Sequence, residues 1–435
     1  MNHIAQWKQR IGANMLFRNT MSMTTGGGIR LALQAVYFVM IARSLGPSQY
    51  GAFIGVAALI GVLSPFAMLG TGNLMIQSVA RDRTTFRESW GNALEMTAIA
   101  SGLLLVLVLL ACRLFLPRGI PLLLVVFVGL ADLFFAGIVG LAGQAFQACE
   151  KLHRTAWISV TLTAARGSAA LLLFVFVPRP TAMIWSGFYF FSTVLAAAYA
   201  FGAVHYRLGS PAAALGRLIP RLREGFYFSV SLSSQSMYNN IDKAMLVRLS
   251  TLEAAGIYGI AYRLVDLAFQ PIGALLASTY AGFFRHGTDG LAGTTRFAKR
   301  LLPYSISYGV LAAVGLAVAA PVLPRVVGRN YGTAVEALRW LAPLVSLKSV
   351  HYFLADSLTG ADFQGHRTGV QLLIAALNLA LNFWLIPAYG WKGAAWASLA
   401  SDGMLVVGLM LMIAVLDRKA RLAEVGCGAE PGIAP

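Results

Sequence analysis

Apolar residues run along this chain in stretches of about 20, from Met21 to Leu416, broken by short basic segments rather than by polar faces at helical spacing. A helix needs roughly that length to cross a hydrocarbon core of about 30 Å. Stretches such as Leu103–Leu110 and Leu122–Leu130 hold no polar position that could face water. The pattern predicts an all-α polytopic membrane protein with about twelve transmembrane helices. They are expected at Thr20–Ala42, Gly51–Val79, Ala93–Leu116, Leu122–Phe146, Ala156–Val177, Ala182–Val204, Phe226–Leu249, Ala255–Phe284, Leu301–Leu323, Ala334–Leu358, Gly369–Ile386 and Ala394–Leu416.

Composition removes the main alternative. With 58% hydrophobic and 12% charged residues and a mean hydropathy of +0.69, the chain lacks the polar surface of a large soluble helical protein. The first apolar run is too long for the core of a cleavable signal peptide, and no small-residue cleavage site follows it. Cys112, Cys149 and Cys427 are scattered and odd in number, so neither a disulfide framework nor a metal site is expected. No cofactor is expected either.

Lysine and arginine set the orientation, because they are retained on the cytoplasmic side of short loops. Counting inward from the N-terminus, the inside segments carry Lys8, Arg10 and Arg18, then Arg81, Arg83 and Arg87, then Lys151 and Arg154, then Arg207, Arg217, Arg221 and Arg223. Later inside segments add Arg285, Arg296, Lys299, Arg300, Arg367, Arg418, Lys419 and Arg421, against a sparser outside set. Both termini are therefore expected in the cytoplasm. The net charge of +17 reads as topology and attraction to anionic membrane lipids, not as nucleic-acid binding. In residues 1–19, Ile4, Trp7, Ile11 and Met15 recur opposite Lys8 and Arg10, the pattern of an amphipathic interfacial helix. A cytoplasmic tail, 417–435, ends in a segment rich in glycine, alanine and proline that is expected to be disordered.

The stretch from Met40, MIARSLGPSQYGAFIGVAALIG, lies without a gap on MLVRLSTLEAAGIYGIAYRLVD from Met245. Arg43 falls on Arg248, Gly51 on Gly256 and Phe53 on Tyr258. Six spans separate the copies, so both have the same orientation, which predicts two six-helix lobes, 20–204 and 226–416, with pseudo-two-fold symmetry about the membrane normal. The basic segment 205–225 is the expected cytoplasmic link. In such carriers the substrate site lies near the midplane and access alternates.

The segments ARSLGPSQYGAF and LGTGNLMIQSVARD resemble the opening of the polysaccharide-repeat-unit flippases (O-antigen and exopolysaccharide) of the multidrug/oligosaccharidyl-lipid/polysaccharide exporter superfamily. The resemblance continues in DKAMLVRLSTLEAAGIYGIAYRL from Asp242 and NLALNFWLIPAYGWKGAAWASLASD from Asn378. It implies a bacterial inner-membrane flippase that moves undecaprenyl-pyrophosphate-linked oligosaccharide repeat units toward the periplasm, with a periplasmic polymerase and chain-length proteins as candidate partners.

Ionisable groups inside spans are costly and usually face a cavity or a partner. The first span has Arg30 with Gln34 one turn on, the fifth has Arg166, and the seventh presents Ser231, Gln235, Asn239 and Asp242 at three-to-four-residue spacing, with Lys243 adjacent. The eighth has Arg263 and Asp266; the tenth has Lys348, His351, Tyr352 and Asp356. A diphosphate cannot enter hydrocarbon uncompensated, and guanidinium groups bind phosphate bidentately. Arg30, Gln34, Arg166, Gln235, Asn239, Arg263 and Lys348 are therefore the candidate cavity groups, and Asp242, Asp266, His351 and Asp356 the candidate coupling groups. Trp185, Tyr238, Tyr258 and Tyr262 are candidates to stack on sugar faces.

Structural roles compete with each of these. Arg263 with Asp266, Lys348 with Asp356, and Asp242 with Lys243 can neutralise each other, and either lysine can reach toward an interface. His351 can be a packed helix partner, and Asn378 with Asn382 an interhelical link. Two other functions also compete. A multidrug exporter of the same superfamily would need an acidic or aromatic cavity for cations, whereas the first span holds Arg30 and no carboxylate. A membrane glycan polymerase or ligase would need extended outside loops, and those here are short and without paired carboxylates or a nucleophile motif.

Overall fold

The computed structural model describes residues 2–212 and 222–427; side chains are described from Gly27 onward, except at 152 and 281, at several positions between 222 and 238, and after 419. All regular structure among the described residues is helical, an arrangement that satisfies the backbone within each segment where no water can. Nine helices among the described residues are long and apolar enough to span a membrane. The first of these, Gly27–Arg81, carries two of the expected spans. The expected seventh span lies in a more polar helix, Leu222–Leu249, and the tenth is divided between Ala334–Leu341 and the 17-residue Leu344–Gly360.

The chain forms two compact units, Met1–Gly256 with Val326–Gly328, and Ile257–Arg325 with Arg329–Pro435. In the first, α1 (Asn2–Ala67) is broken at Gly46, where φ is 70° and ψ 171°, just before Pro47. This break is the turn expected between the first two spans. The expected second span breaks again where Leu69 and Gly70 take positive φ, of 44° and 66°. There α1 gives way to α2 (Thr71–Arg81), and the Thr71 hydroxyl donates to the Met68 carbonyl at 2.7 Å. Beyond α2, Asp82 accepts both the backbone N–H and the hydroxyl of Thr84, at 2.9 and 2.8 Å. These bonds hold its carboxyl below the ordinary carboxylate range.

The next helices are α3 (Phe86–Phe115), α4 (Leu122–Gly129), α5 (Ala136–Ala148), α6 (Leu152–Phe176), α7 (Ala182–Leu208) and α8 (Leu222–Leu249). Between α4 and α5 the helix widens into a π turn, Leu130–Phe135, that contains Asp132. Such turns are rare and are frequent at functional sites.

Helix α8 runs antiparallel to the second half of α1. A Cβ on Gly55 would strike Val247, Ser233 Oγ donates to the Val62 carbonyl at 2.8 Å, and Phe66 lies 6.0 Å from Phe226 between ring centroids. Gly51 is packed so that a Cβ would run into the Leu252 carbonyl, and a Cβ on Gly256 would run into that of Pro47. Gly51 and Gly256 are equivalent in the sequence repeat, and so are Pro47 and Leu252. The contact is therefore reciprocal, as contacts across a two-fold axis are.

The second unit contains most of α9 (Leu252–Gly287), then α10 (Gly290–Ala319), the first part of α11 (Leu323–Val327), α12 (Ala334–Leu341), α13 (Leu344–Gly360), α14 (Gln364–Tyr389) and α15 (Trp391–Cys427). Asn378 donates to Ser401 at 3.0 Å, and Asn382 donates to the Asn378 carbonyl at 2.9 Å. That places the expected asparagine link between α14 and α15.

The side chains of Ile4, Trp7, Ile11 and Met15, residues 213–221 of the basic link and residues 428–435 of the tail lie outside the described residues.

Candidate functional site

Within the first unit a cavity of about 390 Å³ opens between α1, α5 and α6, within the usual range of ligand pockets, about 300–1,000 Å³. Arg30, Gln34 and Tyr37 enter it from successive turns of α1. Thr155, Ser159, Thr163 and Arg166 enter from one face of α6, and Gln144 and Gln147 from α5. Gly140 and Gly143 line the α5 wall without side chains. The structure thus brings together three of the expected cavity residues, Arg30, Gln34 and Arg166.

The two arginines differ in their surroundings. Arg30 is exposed and, among the described residues, forms no ion pair. Arg166 is held by three residues. One guanidinium nitrogen, Nη2, lies 2.8 Å from Asp132 Oδ1, and Nε donates to Thr193 Oγ1 at 3.2 Å. Its guanidinium carbon sits 4.0 Å from the centroid of the Tyr189 ring, whose hydroxyl donates to the same Asp132 oxygen at 2.7 Å. Asp132 therefore offsets one of the two cations, leaving a single excess positive charge in the wall. Thr155, Ser159 and Thr163 donate to the carbonyls of Gly143, Thr155 and Ser159, so their hydroxyl oxygens remain able to accept. Among the described residues, Gln144 Oε1 is buried without a hydrogen-bond partner. Guanidinium, amide and hydroxyl groups around one space suit a ligand with an anionic group and sugar hydroxyls.

The remaining expected residues lie elsewhere. In the first unit, Asp242 accepts the Lys243 backbone N–H at 2.7 Å and lies 3.6 Å from its ammonium, while Lys243 Nζ also donates to the Asn239 carbonyl. The side chain of Gln235, like those of Ser231 and Tyr238, is outside the described residues.

In the second unit, Asp266 turns to Lys348, 3.5 Å away, and among the described residues forms no ion pair with Arg263. The expected local pair on α9 is replaced by one between α9 and α13, which neutralises a buried ammonium. Lys348 also donates to Tyr262 Oη at 3.0 Å. Asp356 pairs with Arg367 at 3.3 Å, not with Lys348. His351 Nε2 lies 2.9 Å from Asp402 Oδ1, and both side chains are buried. Tyr258 and Tyr262 are buried in this unit, with the Tyr258 hydroxyl against Ser398 at 2.9 Å, and Trp185 is buried in the first unit.

Asp132, Tyr189 and Asp402 are absent from the sequence-derived candidates. Asp132 and Asp402 were open to the same rule that flags Arg166, that a lone ionisable residue in an apolar run needs a partner. Tyr189 carries no such signal.

The family model for polysaccharide biosynthesis proteins matches residues 16–280, well over half of the chain. No curated relative matches by sequence. Among solved structures, the chain is similar to a multidrug resistance MATE family transporter of the MOP superfamily in its inward-facing conformation, at a TM-score of 0.72 and 14% identity, covering 92% of this chain and 99% of that one. The lipid II flippase MurJ, in an inward closed conformation, gives 0.72 at 11% identity over 90% of this chain and 87% of its own. An outward-facing MATE transporter gives 0.62 at 15% identity, over 92% and 96%. At these identities the likeness fixes the fold. The chain is a two-lobed, all-helical membrane protein with the fold of the MOP superfamily transporters, and it belongs to the polysaccharide biosynthesis protein family.

Proposed function

We propose that this protein is a flippase that moves an undecaprenyl-pyrophosphate-linked oligosaccharide repeat unit from the cytoplasmic to the periplasmic leaflet of a bacterial inner membrane. The carrying observation is the cavity lined by Arg30, Gln34 and Arg166, with one excess positive charge and a surround of amide and hydroxyl groups. Arg30 holds the diphosphate, the amides and hydroxyls hold the first sugars, and the lipid tail stays in the bilayer. The family membership supports a polysaccharide precursor as cargo, and MurJ, a lipid II flippase, shares the fold.

Transport proceeds by alternating access of lobes 20–204 and 226–416, joined by the link 205–225, with both termini in the cytoplasm. Outward movement of the diphosphate down a negative-inside potential releases roughly 2.3 kcal/mol per charge per 100 mV if the whole field is crossed. Asp242, Asp266, His351 and Asp356 are the candidates for any ion coupling. Periplasmic polymerase and chain-length proteins would draw off the product. The protein acts by translocation, without a chemical step.

The multidrug-exporter reading keeps one observation in its favour, the shared fold with MATE transporters. Asp132, which reaches the cavity only through its pair with Arg166, does not add to it, because its charge is already matched. The test is reconstitution into vesicles carrying a fluorescent diphosphate-linked oligosaccharide lipid. Wild type should make the inner-leaflet pool accessible to an external quencher, and Arg30→Ala should slow this at equal protein incorporation. Equal rates for protein-free vesicles and wild type would overturn the proposal.

A further inference from the structure

A second pocket, of about 180 Å³, lies between α5, α6 and α7 at the end of the helices where α6 begins and α7 finishes. Arg154, Trp157 and Ile158 line it from the first turns of α6, Tyr199 and Arg207 from the last turns of α7, and Phe146 from α5. Two guanidinium groups thus face one small space. Among the described residues neither forms an ion pair; the nearby acid in sequence, Glu150, is taken by Arg83 at 3.3 Å. Two like charges brought together without a carboxylate call for an anion. The first turn of α6 adds to this demand, since it carries no acidic residue and no side-chain cap.

The surroundings say what kind of anion. On α7, Ile184, Phe191, Leu195, Tyr199 and Tyr206 are all exposed at spacings that set them on one stripe. On α6, Trp157 is 59% exposed, and Leu171, Leu172 and Val175 follow it on the exposed surface. These are hydrocarbon-facing surfaces in a spanning protein, and they lead along both helices to the pocket. Tyr199 and Arg207 are eight residues apart, about 12 Å along a helix, the depth over which a headgroup gives way to acyl chain. Trp and Tyr beneath a pair of arginines match the interfacial belt, with aromatic rings at the headgroup level.

We propose that this pocket binds the phosphate headgroup of an anionic phospholipid of the adjacent leaflet. Arg154 and Arg207 clamp the phosphodiester, and Trp157 and Tyr199 pack on the glycerol and upper acyl chains. The site is separate from the transport cavity, which faces the other side of α6 through Thr155, Ser159 and Thr163. It does not depend on what the protein carries.

Trp157 provides the probe. The full-length protein is reconstituted in vesicles holding a small fraction of brominated phosphatidylglycerol or brominated phosphatidylcholine, and the Trp157 signal is taken as the difference between wild type and Trp157→Phe. Quenching should favour phosphatidylglycerol, by roughly fivefold in apparent affinity for each arginine near the surface. The double variant Arg154→Gln/Arg207→Gln should lose that preference, and Arg154→Lys/Arg207→Lys should keep part of it. Equal quenching by the two lipids in wild type would overturn the proposal without requiring any variant to fold. Displacement of the brominated lipid by millimolar inorganic phosphate would also overturn it, by identifying a site for a soluble anion.

Discussion

At the scale of single residues, the cavity depends on a distinction between two arginines that their letters do not show. Arg30 has no carboxylate to satisfy it among the described residues, so it is available to a ligand. Arg166 is committed to Asp132, Tyr189 and Thr193. Removing either member of that pair leaves a charge in a poorly hydrated wall, which costs far more than losing a surface salt bridge. A double-mutant cycle of Arg166→Ala and Asp132→Ala, read as thermal stability in detergent, should give a coupling of about 1–3 kcal/mol. The double variant should be more stable than the sum of the two single losses predicts, because the second deletion removes the charge that the first leaves unpaired. Additive losses would mean that the pair is incidental. Arg30, Gln34 and Arg166 were legible in the sequence because burying such groups is costly enough to demand a cavity or a partner. What was not legible is which of those two outcomes applied. Asp132 lies 34 positions from Arg166, on another helix, and only packing brings the two together. The same holds for Lys348, whose partner Asp266 comes from α9, and for His351, whose partner Asp402 comes from α15.

At the scale of helices, the internal repeat is the feature that sequence exposed best. The matched glycines, Gly51 and Gly256, were visible as letters in register. Their reason is visible only in the packing: each sits against the backbone carbonyl of the residue equivalent to the other's partner. A methyl group at either position would have to displace main chain, which does not yield as a side chain can. Gly51→Ala or Gly256→Ala should therefore destabilise the folded protein by about 1–3 kcal/mol. Gly273→Ala, also within a helix but with nothing near its added methyl among the described residues, should be neutral or slightly stabilising. A thermal-shift series on the three variants checks this, and equal behaviour of all three would refute the close crossing. Pro65 and Gly70 stand out by residue type in the second expected span, where the helix breaks at Leu69 and Gly70, but hydropathy itself runs straight through. It did not show the π turn at Asp132, because adding a residue to a helical turn leaves an apolar run unchanged in composition.

At the scale of the whole molecule, composition alone indicated a polytopic membrane protein, and the helices follow the apolar runs closely. The spans that hydropathy describes least well are the seventh and tenth, because they are the most polar. They are also where Asn239, Asp242, Lys348, His351 and Asp356 lie, so the departure from a uniform apolar pattern marks the residues most open to a functional role. The proposed cargo is not written in hydropathy at all. It rests on the balance of charge in one cavity, where a single excess cation suits a diphosphate-linked glycan and opposes a cationic drug.

The most direct measurement is the leaflet distribution of lipid-linked repeat units in cells depleted of this protein and then supplied with wild type or Arg30→Ala at equal membrane levels. Accumulation on the cytoplasmic face, relieved by wild type and not by Arg30→Ala, is the predicted result. Accumulation on the periplasmic face, or no accumulation, would contradict it.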